Sequence, residues 1–300
     1  MPGRGNRGEA VEISDSSCLI LAALLEARTG QQLGVDRRWR IGAALTEVMR
    51  DRKIDSVDRL AAMLVTDRDA SLADAVVEGL LNNETYFFRD RASFDLLIDD
   101  ALARLQRVRA SRRMTIWCAG CATGQEAYSI AMSIAQDPVR WNGWTVDIVG
   151  TDVSRAAIDR AGEGLYSQFE VQRGLSVRQM LQWFGKERDQ WRIAPRLREM
   201  VRFEVRNLHE GPPEPGMFDV VLCRNLLLYF APDARRRALD RLSEAVASDG
   251  LLMLGAGETV IGHTHGFVPD PDLRGLYSPV PRRVPRRSTM AHRLGRERRA

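Results

Sequence analysis

Gly120 and Gly124 punctuate the stretch Met114–Met132, MTIWCAGCATGQEAYSIAM. The apolar run Met114–Trp117, with β-branched Thr115 and Ile116, suits a buried parallel strand. Small residues follow, and then an amphipathic helix with Ala127, Ile130, Ala131 and Ile134 on its apolar side. A strand, a glycine turn and a helix form the ligand-binding corner of a doubly wound α/β sheet. Glycine lets a ligand approach the backbone there, and the helix N-terminus offers unpaired N–H groups. The spacing Gly120-x-x-x-Gly124 departs from the G-x-G-x-x-G that cradles a pyrophosphate, so an adenosine ligand without one fits better. A tight turn with no ligand is the plainer alternative.

Asp152 lies 28 residues beyond Gly124, at the tip of a second predicted strand, Thr145–Gly150. A carboxylate there is placed to accept ribose hydroxyls. Helix capping is its other use, although Ser154 is equally suited to that. In Asn82-Asn83-Glu84-Thr85-Tyr86-Phe87-Phe88-Arg89-Asp90 a core-edge loop accounts for the aromatics. It does not account for Asn83, Thr85 and Arg89 together. Arg224-Asn225 closes a very apolar strand, Phe218–Cys223. The histidines His209, His263, His265 and His292 stand outside these groups, so no His/Asp or His/Cys catalytic pair is evident. Cys118-x-x-Cys121 has the local spacing of a zinc pair, but no second close pair exists. We therefore expect no metal, and buried or loop thiols in a reducing compartment.

The elements positioning these groups fall into two parts. From Ser14 to about Asn82 every segment reads as helix: Ser14 or Ser16 caps a first helix that Gly30 stops, and Asp36, Ser56 and Ser71 cap three more. The second, with Trp39, Ile41, Leu45 and Val48 on its apolar side, also carries Arg37, Arg38, Arg40, Arg50, Arg52 and Lys53. That basic face suits either an acidic partner or solvent. Ser93 caps a long helix before the first strand. Beyond Asp152, Leu165–Phe169, a helix from Ser176 and a charged turn at Lys186–Asp189 predict a small hairpin inserted in the sheet. Strands at Phe203–Val205, Phe218–Cys223 and Gly250–Gly255, a helix over Asp233–Ala247 and an antiparallel edge at Phe267 and Leu276–Val280 complete the chain. The predicted fold is α/β: a doubly wound, Rossmann-like sheet over 83–280, an insertion at about 165–200, and an all-helical domain over 14–82. Residues 1–13 and 281–300 are expected to be disordered.

Hydrophobic content of 44% and charged content of 28% describe an ordinary globular chain. The net charge of +4 misleads, because residues 281–300 carry eight arginines against one glutamate and leave the remainder acidic. That tail has no interleaved aromatics for base stacking, and no nucleic-acid partner is expected. No apolar run approaches a membrane span, and MPGRGNRGEAVE lacks the apolar core of a signal peptide. A cytoplasmic location follows as an expectation.

Taken together, these motifs resemble the CheR family of chemotaxis protein methyltransferases over roughly residues 14–280. The resemblance rests on Asn83–Asp90, Ala119–Ser129, Thr151-Asp152-Val153-Ser154, Asn207-Leu208 and Cys223–Phe230, in that order. It implies S-adenosylmethionine as methyl donor, S-adenosylhomocysteine as product, and glutamate side chains on the cytoplasmic helices of chemoreceptors as acceptors. Carried over by position, Asn83, Thr85 and Arg89 would line the methionine end of the cofactor, with Gly120 close to it. Glu126 would meet its amino group, Asp152 its ribose, and Asn207 and Leu208 its adenine. Arg224 and Asn225 match the next pair around it, and Tyr229, with Arg89, would align the acceptor carboxylate. Ala127 replaces a common proline and Gln125 a common acidic residue. The stretch between Phe184 and Val201 is short for a member that docks a receptor tail peptide, which implies an enzyme without that tether. A methyltransferase with another acceptor, and a non-catalytic S-adenosylmethionine-binding module, remain alternatives.

Overall fold

A computed structural model describes residues 13–280, apart from Arg68 and Pro215. Of the stretches 1–13 and 281–300 expected to be disordered, residues 1–12 and 281–300 lie outside the described residues.

The helical part comprises α1 (Asp15–Thr29), a 3-10 turn (Val35–Arg40), α2 (Ile41–Ala44), α3 (Thr46–Arg52), α4 (Val57–Thr66) and α5 (Ala70–Leu80). Ser14 caps α1 by accepting from Ser17 N, and Gly30 ends it in the left-handed conformation at φ 76°. Ser56 caps α4 as expected. Two expectations fail here. The second helix is broken rather than continuous: the 3-10 turn already begins at Val35, so Asp36 does not start it, and Leu45 interrupts it at ψ 4° while filling the core. Trp39 accordingly stands 79% exposed instead of facing the core. The cap of α5 is Asp69 rather than Ser71, because the Asp69 carboxylate takes both Ser71 N and Leu72 N. Much of the basic face is paired, Arg38 with Asp15, Arg50 with Asp51 and Arg52 with Asp69. Leu21, Leu25, Leu45, Leu60, Leu72 and Val76 form the core of this part.

The long helix before the sheet is α6 (Arg91–Asp95), a π-helical segment (Leu96–Ala101) and α7 (Leu102–Val108). Ser93 does not cap it. Asp90 occupies the cap position at φ 59°, and its carboxylate is committed elsewhere. Next come β1 (Arg113–Ala119), α8 (Gln125–Gln136), β2 (Thr145–Asp152), α9 (Arg155–Glu163), β3 (Leu165–Ser167), α10 (Gln168–Gln172), α11 (Val177–Trp183), β4 (Phe184–Glu187), β5 (Gln190–Ile193), α12 (Pro195–Arg198), β6 (Val201–Val205) and β7 (Phe218–Cys223). The described residues end with α13 (Pro232–Ala245), β8 (Val246–Leu254), β9 (Phe267–Pro269) and β10 (Leu276–Pro279). The helix expected to reach Ala247 stops at Ala245, and β8 starts directly at Val246.

The main sheet has the order β6-β2-β1-β7-β8-β10-β9, parallel as far as β8 and antiparallel at β10 and β9. Both faces are covered, which explains the continuous apolar strands. Met114, Ile116 and Cys118 of β1 pack with α7 and α8 on one side. Trp117 and Ala119 pack with α13 on the other. The insertion forms its own antiparallel sheet, β3-β5-β4, with a tight turn between β4 and β5. The chain runs outward from β1 through β2 to β6 and then crosses back to β7 on the other side of β1, so the switch-point crevice opens beyond the C-terminal ends of β1 and its neighbours.

Candidate active site

Two strand tips build the floor of this crevice. After β1, Gly120 N and Cys121 N both donate to Thr151 O of β2, at 2.8 and 3.0 Å. Gly120 sits at φ 77°, and a Cβ on it would stand 2.7 Å from Leu226 Cδ2. Gly124, at φ 90°, is closed in by Ala161 and Phe203, so it serves packing while Gly120 serves access. Asp152 extends from the tip of β2, and its carboxylate accepts from Ala122 N at 2.8 Å and Ser154 N at 3.0 Å. Ser154 performs the capping of α9 by accepting from Ala157 N, which leaves Asp152 to the crevice. Burial pushes the Asp152 carboxyl above its ordinary range, and the nearby Glu78 carboxylate adds to that. Glu78, on α5, hydrogen-bonds the Ser154 hydroxyl, which also accepts from Asn83 Nδ2 at 3.2 Å.

The loop 83–90 is fixed by its phenylalanines. Phe87 is buried edge-on against Tyr166 and Phe184, with ring centroids 5.1 and 5.4 Å apart. Phe88 packs on Phe94, and Phe88 N donates to Ser129 Oγ of α8 at 2.9 Å. With these rings turned into the core, Asn83, Thr85 and Arg89 face the crevice. Arg89 donates to Glu84 O at 3.2 Å and lies over Tyr86, whose ring Arg173 also covers at 4.4 Å.

Arg224 joins three walls. Its Nη1 donates to Glu126 Oε2 at 2.9 Å, and its Nη2 to Arg89 O and Asp90 Oδ2 at 2.8 and 2.9 Å. The side chain is only 2% exposed. Asn225 follows at φ 59°, and Glu258, which sequence reasoning missed, collects the N–H groups of Asn225, Leu226, Leu228 and Gly255. Tyr229 stands on a 3-10 turn (Leu227–Tyr229), and Asn82 Nδ2 donates to its hydroxyl at 2.8 Å.

Asn83, Thr85, Arg89, Gly120, Glu126, Asp152, Arg224, Asn225 and Tyr229 thus line one crevice. Asn207 and Leu208 are not among its lining residues. Asn207 donates to Arg28 O and accepts from His209 N, and Leu208 is buried in the core behind β6. Gln125, the departure beside Glu126, is buried and accepts from Thr123 Oγ1. All four cysteines are buried free thiols, and burial pushes Cys118, Cys121 and Cys223 well up. No helix among the described residues is long and apolar enough to cross a membrane.

The donor set suits an adenosyl amino acid. It combines a glycine-opened strand tip, a carboxylate at the next tip, a second carboxylate at a helix N-terminus, and an arginine across from them.

The family profile "CheR methyltransferase, SAM binding domain" matches residues 83–270. Chemotaxis protein methyltransferase 1 of Vibrio cholerae is 31% identical over 261 residues, covering 86% of this chain and 94% of that protein. The chemotaxis protein methyltransferase of Vibrio anguillarum is 32% identical over 262 residues, covering 86% and 94%. Chemotaxis protein methyltransferase 1 of Pseudomonas aeruginosa is 32% identical over 245 residues, covering 80% and 89%. With its crevice carried on the S-adenosylmethionine-binding domain of that profile, this chain belongs to the CheR methyltransferase family.

Proposed function

We propose that this protein transfers a methyl group from S-adenosylmethionine to glutamate side chains on the cytoplasmic helices of chemoreceptors, leaving glutamate methyl esters and S-adenosylhomocysteine. The observation that carries the reading is the crevice itself. Tyr229 and Arg89 face it beside the cofactor groups, and among the described residues neither histidine nor lysine lines it. A glutamate acceptor is already ionised near neutral pH, since its pKa is about 4.3, and needs no general base.

The cofactor, when bound, supplies an electrophilic methyl group on a sulfonium. Asp152 accepts the ribose hydroxyls, Glu126 the ammonium group, and Arg89 faces the carboxylate, with Asn83, Thr85 and Gly120 lining that end. Arg224 and Asn225 hold the wall opposite, while Asn207 and Leu208, just beyond β6, stay outside this lining. The acceptor oxygen forms its bond to carbon as the carbon–sulfur bond breaks, and the electron pair stays on sulfur. No proton moves. Tyr229 donates a hydrogen bond to the acceptor carboxylate and, with Arg89, aligns it within about 3–3.5 Å of the methyl group. Opposite charges cancel in the process, so a crevice closed to water favours it. The tight β4–β5 turn supports action without tethering to a receptor tail.

The test supplies methyl-tritiated S-adenosylmethionine, receptor cytoplasmic fragments and RNA to the purified protein. Alkali-labile label on receptor glutamates is expected. Label on RNA, or saturable cofactor binding with no transfer to any acceptor, would overturn the assignment.

A further inference from the structure

We propose that Asn82 is a positioning residue for the Tyr229 hydroxyl, so that the helical domain completes the methyl-transfer site. The inference rests on the reading that Tyr229 holds the acceptor carboxylate.

Asn82 follows Leu81, the C-cap of α5, and its side chain crosses to the sheet domain to meet Tyr229 Oη at 2.8 Å. The helical domain grips the same residue a second time, because Gln32 N donates to Tyr229 O at 2.7 Å. Gln31 adds a β-bridge to Phe230. From the sheet side, Arg235 donates to Leu227 O and Phe230 O, at 3.0 and 3.3 Å. The turn's backbone is therefore clamped from both domains, whereas the phenol is oriented by the helical one.

The direction of the Asn82 bond carries the chemistry. An amide N–H donates and cannot accept the phenolic hydrogen at the same contact. That hydrogen therefore points away from Asn82, and Tyr229 itself lines the crevice. A phenol oxygen that accepts a hydrogen bond is also polarised into a better donor. Asn82 thus commits the O–H of Tyr229 to the oxygen of the acceptor that does not attack. Aspartate at this position has almost the same shape but only accepts, so it would draw the hydrogen away from the crevice.

The experiment compares Asn82→Ala, Asn82→Asp, Tyr229→Phe and the Asn82→Ala/Tyr229→Phe double variant. It reads turnover at saturating cofactor and receptor fragment, S-adenosylhomocysteine affinity by calorimetry, and the melting temperature. Loss of one neutral hydrogen bond predicts about a tenfold fall in turnover for Asn82→Ala. Asn82→Asp is expected to fall about a hundredfold because it reverses the bond. Both should keep native cofactor affinity. In the Tyr229→Phe background, Asn82→Ala should cost nothing further. Additive losses, an aspartate variant as active as the alanine one, or cofactor affinity falling in step with turnover would each overturn the proposal. Should Tyr229→Phe be impaired while the Asn82 variants keep full turnover, the proposal alone fails. Should Tyr229→Phe itself keep full turnover, the role given to Tyr229 fails, and this inference with it. The near-isosteric aspartate variant decides the matter even if the alanine variant does not fold.

Discussion

Arg224 and Glu126 form a buried ion pair, Nη1 to Oε2 at 2.9 Å, with side chains 2% and 14% exposed. The same guanidinium holds Asp90 and the carbonyl of Arg89, so one cation ties the end of β7 to the start of α8 and to the loop 83–90. Asp90 spends its carboxylate here instead of capping α6. The pairing also sets the charge available to a ligand, because Glu126 can meet an ammonium group without being a bare buried anion.

Truncating Arg224 should therefore damage both the fold and the crevice. Arg224→Ala leaves Glu126 buried without its counter-ion and should cost about 3 kcal/mol of stability. Arg224→Lys keeps the charge but loses the fork that reaches two walls at once. It should recover part of the melting temperature and little of the cofactor affinity. Thermal unfolding alongside calorimetry checks this, and equal recovery of both by lysine would argue against the bridging role.

Asp152 links affinity to pH. Burial raises its pKa above the ordinary 3.8. The folded value then exceeds the unfolded one, so ionised Asp152 costs stability as pH rises through the folded value. The ionised form is also the one that would accept the ribose hydroxyls in the proposed site without giving up an oxygen to a proton. On acidification, S-adenosylhomocysteine affinity should accordingly begin to fall at a higher pH than an ordinary carboxylate would allow. Asp152→Ala should bind about thirtyfold more weakly, by the worth of hydrogen bonds to a charged group, and lose this pH dependence. Calorimetry across pH measures it, and an unchanged affinity in Asp152→Ala would remove the residue from the site.

Far from the crevice, Arg104 grips Asp270 through both guanidinium nitrogens, at 2.9 and 2.8 Å, and fastens β9 and β10 to α7. Burial pushes the Asp270 carboxyl up, but Arg104, Ser278 and the N–H groups of Leu273 and Asp272 together hold it well below the usual carboxylate range. The folded value lies below the unfolded one, so this stabilisation is present above about pH 3.9 and is lost as pH falls through the folded value. Asp270→Asn should lower the melting temperature at neutral pH, and the deficit should shrink on acidification. Melting curves that stay parallel down to about pH 3 would contradict the assignment.

Legibility in the sequence followed the range of the interactions. The crevice floor was readable because strand tips and the turn between β1 and α8 are local. Gly120 and Asp152 fall where the pattern puts them, and Glu126, which only the resemblance singled out, lines the same crevice. Helix starts were less secure, because Ser71 and Asp69 are both good caps, and only the geometry of Asp69, which reaches two N–H groups, decides between them. At Ser93 a distant partner decides, since Arg224 claims the carboxylate of Asp90. The π-helical segment after α6 carries no local signal, nor does the break at Leu45, which its burial stabilises. The Asn82–Tyr229 bond and the Glu258 anchor span 147 and about 30 positions, and no local spacing announces them.

Glu258 gives the sharpest test of how the turn that carries Tyr229 is built. Its carboxylate gathers four backbone N–H groups, from Gly255 and from Asn225, Leu226 and Leu228, at 2.8 to 3.3 Å. A left-handed Asn225 at φ 59° turns these donors towards one point, where only an acceptor with two oxygens satisfies them all. Glu258→Gln turns an amide hydrogen towards donors and should cost about 1–3 kcal/mol. Loosening this turn frees Tyr229 more than it disturbs Asp152 or Glu126, which rest on other elements. Turnover should therefore fall well over tenfold while S-adenosylhomocysteine affinity changes by less than about threefold. Steady-state methylation of receptor fragments, together with calorimetry on the same preparation, separates the two. Matched losses would mean that Glu258 supports the whole crevice and not the turn alone.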